Sequence, residues 1–226
     1  MFFDEYYLIL VVPTLILSLI AQIMVKSTFA RYSRVLSSRR MTGKDAAALL
    51  LRVNNIDDVR IESVGGSLTD HYSPSDKKLR LSRPVYGETS IAAIGVAAHE
   101  TGHAIQHALS WGPLVMRSTL VPAANIGSSL GPWLAVAGIF FSMPLLINIG
   151  IVLFSAAVLF YVITLPVEFN ASGRAIAILR ENNVLSNDEL KGVKKVLTAA
   201  AMTYVASALT AIMSLLRLVL LSRRRR

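Results

Sequence analysis

With 226 residues, the chain has room for one compact unit or for a small domain carried on membrane helices, and its composition favours the second: 54% of residues are apolar, and the 16% that are charged gather in a few blocks. The absence of cysteine excludes a disulfide framework and a thiolate metal site, so any metal falls to His, Asp or Glu. The net charge of +9 sits mainly in segments flanking hydrophobic runs, where anionic lipid headgroups are the natural partner, and no nucleic-acid recognition motif accompanies it.

Tyr7 to Val25 is an uncharged apolar run long enough to cross a bilayer, which takes about 20 helical residues. Asp4 and Glu5 precede it instead of the basic start of a secretory signal, so the run reads as a retained anchor. Lys26, Arg31, Arg34, Arg39 and Arg40 follow it, which places the next segment in the cytoplasm.

Residues 26–117 read as a soluble part. Thr42 with Asp45 three residues on has the form of a capping box, predicting a short helix through Val53 that stops at Asn54-Asn55. Val59 to Val64 and Lys77 to Leu81 alternate in the manner of strands, predicting an antiparallel hairpin. The alanine-rich, proline-free stretch from Ser90 to Leu109 reads as one helix capped by Thr89 or Ser90.

From Ser118 to Val167 no charge occurs, a length that fits a transmembrane hairpin bent near Ser142-Met143-Pro144. Residues 168–196 are polar again, with a helix through Leu179, a break at Glu181-Asn182-Asn183 and a new start at Ser186 with Glu189. Leu197 to Leu216 is a fourth apolar run, ended by Arg217 and the Arg223 to Arg226 cluster. Four full crossings would put those arginines outside, against the rule that orients the first span, so this run is expected to cross the membrane or to be re-entrant or interfacial. The fold class that results is mainly α and membrane-embedded, with a small α+β soluble portion.

Ala98-His99-Glu100-Thr101-Gly102-His103 contains His-Glu-x-x-His. Four residues of helix set the two imidazoles on one face about 6 Å apart along the axis, suited to one zinc ion. Glu100 lies one residue along, placed to take a proton from the hydrolytic water, whose pKa zinc lowers toward about 7. A catalytic zinc needs a third protein ligand, and Glu168, the first charge after the hairpin, is the best candidate. Read otherwise, Glu168 is an interfacial charge ending a span.

His107 is the runner-up, but ligands at i, i+4 and i+8 of a straight helix span about 12 Å, too far to converge on one ion. His107 is therefore expected on the helix face or behind the ligands. His71 belongs to a turn before the second strand, with a turn or site-rim role. Tyr72, His71 and Arg174 are candidate donors to the oxyanion of a tetrahedral intermediate. The strand Lys77 to Leu81 is expected to present an exposed edge to an extended peptide.

Four blocks then resemble a known family, the YugP-like neutral zinc metallopeptidases of bacterial membranes, distant relatives of the HtpX-type and prenyl-protein peptidases. They are Leu68-Thr69-Asp70-His71-Tyr72, Leu79-Arg80-Leu81-Ser82, Val96 to His107, and Leu165-Pro166-Val167-Glu168-Phe169-Asn170-Ala171-Ser172. In the wider relatives the third ligand is a glutamate opening a Glu-x-x-Ala-Asp pattern; Glu168 to Ala171 matches and Ser172 stands in place of the aspartate, which removes a supporting ion pair, for instance to Arg174. The resemblance implies a zincin-like peptidase with a zinc ion and a polypeptide substrate, membrane proteins among the possibilities. A zinc-binding membrane scaffold without proteolysis is the competing function, and Glu100 separates the two because a structural site needs no general base. A transporter is disfavoured by spans almost free of ionisable residues, and intramembrane cleavage by a motif helix lying between spans.

Overall fold

The computed structural model describes residues 4–224, with side chains to 223; Arg225 and Arg226 of the terminal cluster lie outside the described residues. After a π-helical turn at Tyr7–Val11, the elements run α1 (Val12–Tyr32), α2 (Gly43–Val53), β1 (Arg60–Val64), β2 (His71–Ser73), β3 (Lys78–Ser82), α3 (Arg83–Tyr86), α4 (Ile91–Ala108), α5 (Gly112–Phe140), α6 (Pro144–Glu181) and α7 (Asn187–Arg224). Four helical stretches, Tyr7–Tyr32, Gly112–Phe140, Pro144–Glu181 and Asn187–Arg223, are long and apolar enough to cross a membrane. The fourth apolar run lies inside the unbroken α7.

The chain divides into two units. The first comprises Met1–Gln22, Val115–Pro166 and Met202–Arg226, the second Ile23–Leu114 and Val167–Ala201. In the first unit, α5 and α6 meet through small residues. A Cβ on Gly131 would lie 2.8 Å from the Phe154 amide nitrogen, and one on Gly127 would lie 2.1 Å from the Leu153 carbonyl oxygen. Gly127 and Gly131, four residues apart on one face, bring the helix backbones together as small residues do in bilayers, where no hydrophobic drive distinguishes helix from lipid. The expected bend holds: α5 stops at Phe140, Ser142 takes φ +56°, and Pro144 opens α6. Within this unit Arg217 Nε donates to Asp4 Oδ2 at 3.0 Å, so the acid before the first apolar run offsets the base that ends the last.

The second unit is built around α4, which buries 14 of its 18 residues. One face packs with Ala46 and Leu50 of α2, Ala175 and Leu179 of α6 and Val193 of α7. The other meets Leu79 and Leu81 of β3 and Val85 of α3. A helix enclosed this way must be made of small residues, and the alanines of 92–98 supply them. Ser90 is the cap, its hydroxyl accepting from the Ala93 N–H at 3.1 Å.

The sheet corrects the predicted antiparallel hairpin of Val59 to Val64 with Lys77 to Leu81. Its order is β1-β3-β2; β1 runs parallel to β3, and the antiparallel partner of β3 is β2. The cause is a third strand three residues long, too short for alternation to reveal. It forms a tight hairpin with β3 through Ser73–Lys77, with Lys77 at φ +49°, and so reverses the chain once more before β3. Asp70 pins the entry to β2, accepting from the Ser82 N–H at 2.7 Å and the Ser82 hydroxyl at 3.0 Å. With β3 in the centre, the expectation that Lys77 to Leu81 offers an exposed edge is overturned; the edges are β1 and β2.

α6 passes from the apolar hairpin through Glu168 to Glu181 without interruption, so the expected division at residue 168 is not a break in the helix. The later break is real: Asn183 takes φ +51°, and Ser186 with Glu189 caps α7 in the reciprocal manner predicted. The same device opens α2, where the Thr42 hydroxyl accepts from the Asp45 N–H at 3.1 Å and Asp45 accepts from the Thr42 N–H at 3.2 Å. Because α2 covers α4, Thr42→Ala is expected to lower stability by about 1 kcal/mol, read as a fall in the thermal midpoint of the detergent-purified protein by circular dichroism.

Candidate metal centre

Helical spacing sets His99 and His103 on one face of α4, their rings edge to face with centroids 4.8 Å apart. Glu168 comes to them on α6. Its Oε2 lies 3.3 Å from His99 Nε2 and 3.5 Å from His103 Nε2, and ligand atoms of the three residues all lie within 4.8 Å of one another. The carboxylate is 2% exposed. What lets α6 come so near is Gly102: a Cβ there would lie 2.6 Å from the Ala171 carbonyl oxygen, so the two backbones touch where the side chains must converge.

A buried amide fixes the orientation of His103. Gln106, fully buried, donates from Nε2 to the Val167 carbonyl at 2.9 Å and to Asn170 Oδ1 at 3.0 Å. Since a carbonyl only accepts, this assigns the amide, and Gln106 Oε1 faces His103 Nδ1 at 3.0 Å. His103 therefore carries a proton on Nδ1, and its Nε2 faces Glu168. His99 Nδ1 meets the Ser172 hydroxyl at 3.1 Å. Burial works against protonating His103, but the hydrogen bond to Glu168 and the charge of Glu100 outweigh it and raise its pKa above the ordinary imidazole value.

Two imidazole nitrogens and a carboxylate oxygen are the donor set of one class of catalytic zinc site. Ligand atoms about 2.0–2.1 Å from one tetrahedral ion stand about 3.3–3.4 Å from each other, and the two distances to Glu168 agree with that. Electron pairs converging in a buried space repel unless a cation or a proton lies among them, so the chemistry of the three residues fits the ion.

Glu100 is buried beside this group, and its Oε2 accepts from the Tyr72 N–H at 3.0 Å. Tyr72 belongs to edge strand β2, and its N–H points away from β3 toward the motif helix. The Tyr72 hydroxyl pairs with His107 Nδ1 at 2.8 Å. Burial, followed by the charges of Asp58 and Asp76, pushes this phenol up to about 12 and keeps it protonated. His107 thus lies outside the His99–His103–Glu168 group. His71 is exposed, its Nδ1 against the Thr69 carbonyl at 2.9 Å and its Nε2 against Arg80 at 3.4 Å. Arg174 Nε donates to Asn170 Oδ1 at 2.8 Å, behind the site.

Gln106 and Asn170 escaped the sequence reading. The signal for Gln106 was available, a polar residue one turn beyond His103 among apolar neighbours; for Asn170 there was none without the packing of α6 on α4.

A buried His2Glu cluster with an adjacent carboxylate, in a helical protein with candidate membrane spans, is the residue set that a membrane zinc peptidase needs. Residues 7–223 match the family described as "Putative neutral zinc metallopeptidase", and the chain belongs to that family. It is 48% identical over 215 residues to the "Putative membrane protease YugP" of Bacillus subtilis (strain 168), covering 95% of this chain and 96% of that protein. No solved structure matches the chain.

Two substitutions test the geometry. Gln106→Leu is expected to weaken zinc binding about 10–100-fold with the fold intact, as loss of a ligand's hydrogen-bond partner does elsewhere, measured by chelator competition. Gly102→Ala sets a Cβ against backbone, which no rotamer change relieves, and is expected to cost about 1–3 kcal/mol together with the bound metal, measured by thermal denaturation and elemental analysis.

Proposed function

We propose that the chain is a membrane-embedded zinc metallopeptidase in which His99, His103 and Glu168 hold the ion and Glu100 is the general base of peptide-bond hydrolysis. The observation that carries this reading is Glu100: a carboxylate buried beside a metal-binding group, with one oxygen held by the Tyr72 N–H, has a use in proton transfer and none in a purely structural site. When bound, zinc would supply Lewis acidity, lowering the pKa of the hydrolytic water toward about 7 and polarising the scissile carbonyl.

The chain's own groups do the rest. Tyr72 fixes the Glu100 carboxylate, whose other oxygen takes the proton from the attacking water and delivers it to the departing amine nitrogen. Gln106 and Ser172 hold the two imidazoles in place, so that little reorganisation accompanies the reaction. An extended polypeptide would lie along β2, the edge strand next to α4, donating a main-chain hydrogen bond to the outward Tyr72 carbonyl, since the Tyr72 N–H is engaged by Glu100. This mode suits an endopeptidase. The basic residues Lys26, Arg31, Arg34, Arg39 and Arg40 favour a cytoplasmic catalytic unit, and its direct connection to apolar runs favours membrane or membrane-proximal polypeptides as substrates.

Detergent-purified protein is expected to contain about one zinc ion per chain and to cleave casein; chelation should abolish cleavage and added zinc restore it. Glu100→Gln is expected to keep the zinc and lose about 10²–10⁴ of the turnover. Full activity in Glu100→Gln would remove the general base from this mechanism, and a zinc-loaded wild type that cleaves nothing would favour the scaffold.

A further inference from the structure

A basic cleft lies apart from the metal centre, within the second unit. It has a volume of about 540 Å³ and is walled on one side by Met24, Thr28 and Arg31 of α1, with Tyr32, and on the other by Lys191, Lys194, Lys195 and Thr198 of α7, with Ala199. Met24, Thr28 and Arg31 recur at helical spacing on one face, as do Lys191, Lys194 or Lys195, and Thr198 on the other helix. Among the described residues no carboxylate lines the cleft. Lys191 Nζ pairs with Asp188 at 2.8 Å, but both side chains of this pair are largely exposed and the attraction is screened. Arg31 lies with its guanidinium 5.6 Å from the centroid of the Tyr32 ring.

The cleft is also graded along its length. Chain direction explains how: α1 leaves its apolar run toward Arg31, whereas α7 enters its own run after Lys195. The cations of both helices therefore stand at one end, and Met24, Thr28, Thr198 and Ala199 continue the walls toward the apolar runs. A free anion would use the cationic end alone. An amphiphile with an anionic headgroup would use both.

We propose that this cleft binds an anionic glycerophospholipid, with the phosphate among Arg31, Lys194 and Lys195 and the glycerol and first chain carbons along Met24, Thr28 and Ala199. Neighbouring cations in an interfacial setting repel one another, and the phosphate relieves that repulsion. Nothing in this assignment depends on the protease reading.

The test is lipid retention by the full chain in mixed micelles containing phosphatidylglycerol and phosphatidylcholine, read by native mass spectrometry. Wild type is expected to retain phosphatidylglycerol over phosphatidylcholine by about tenfold or more. Arg31→Gln/Lys194→Gln/Lys195→Gln should lose that preference, and Lys194→Arg/Lys195→Arg, which keeps the charge, should retain it. Arg34→Gln/Arg39→Gln/Arg40→Gln removes as many cations outside the cleft and should also retain it. Equal retention of the two lipids by wild type, or equal loss of preference in both triple glutamine variants, would overturn the cleft. Displacement of the lipid by millimolar glycerol 3-phosphate would overturn the lipid in favour of a soluble phosphate compound.

Discussion

The contact between the backbones of α4 and α6 at Gly102 and Ala171 is the constraint on which the rest depends. Carboxylate and imidazole side chains are short, and three of them meet only if the helices that bear them are closer than ordinary side chains permit. Glycine between Thr101 and His103 grants that distance where it is needed. The same approach brings the Val167 carbonyl and Asn170 within reach of Gln106, so the packing that brings Glu168 to the histidines also brings the groups that orient His103.

Much of this was legible beforehand because it is local. The capping residues Thr42, Ser90 and Ser186, the bend at Ser142-Met143-Pro144 and the break at Asn183 follow from backbone preferences within a few residues, and His99 and His103 converge by helical spacing alone. Glu168 was reached by a different route, from the scarcity of ligands in a chain without cysteine and from the position of the first charge after a long apolar stretch. Where the outcome turned on long-range pairing, the sequence was mute. β2 is too short to announce itself, and without it β1 and β3 look like a simple hairpin when they are parallel neighbours. The assignment of the peptide-binding edge failed for the same reason.

The candidate donors Tyr72, His71 and Arg174, and the runner-up ligand His107, show a subtler limit. All four are polar residues near the motif in sequence or by resemblance, and the structure disperses them: Tyr72 meets Glu100 through its main chain and His107 through its hydroxyl, Arg174 braces Asn170, and His71 faces solvent. Side-chain identity predicted proximity for Tyr72 but not the atom involved, since a backbone N–H is the same for every residue that is not proline. Ser172 in place of the acid found in relatives proved informative in another way, as its hydroxyl is what His99 Nδ1 meets.

The second unit is assembled from two stretches of chain, Ile23–Leu114 and Val167–Ala201, separated by the apolar hairpin. A ribosome therefore completes both histidines and Glu100 well before it reaches Glu168, and most of what is translated in between is the apolar hairpin. A nascent chain arrested or clipped anywhere within 115–166 carries the whole His-Glu-x-x-His signature and yet lacks Glu168. Such a fragment holds two members of the His99–His103–Glu168 group without the third, so the group is completed only after the apolar hairpin has been made.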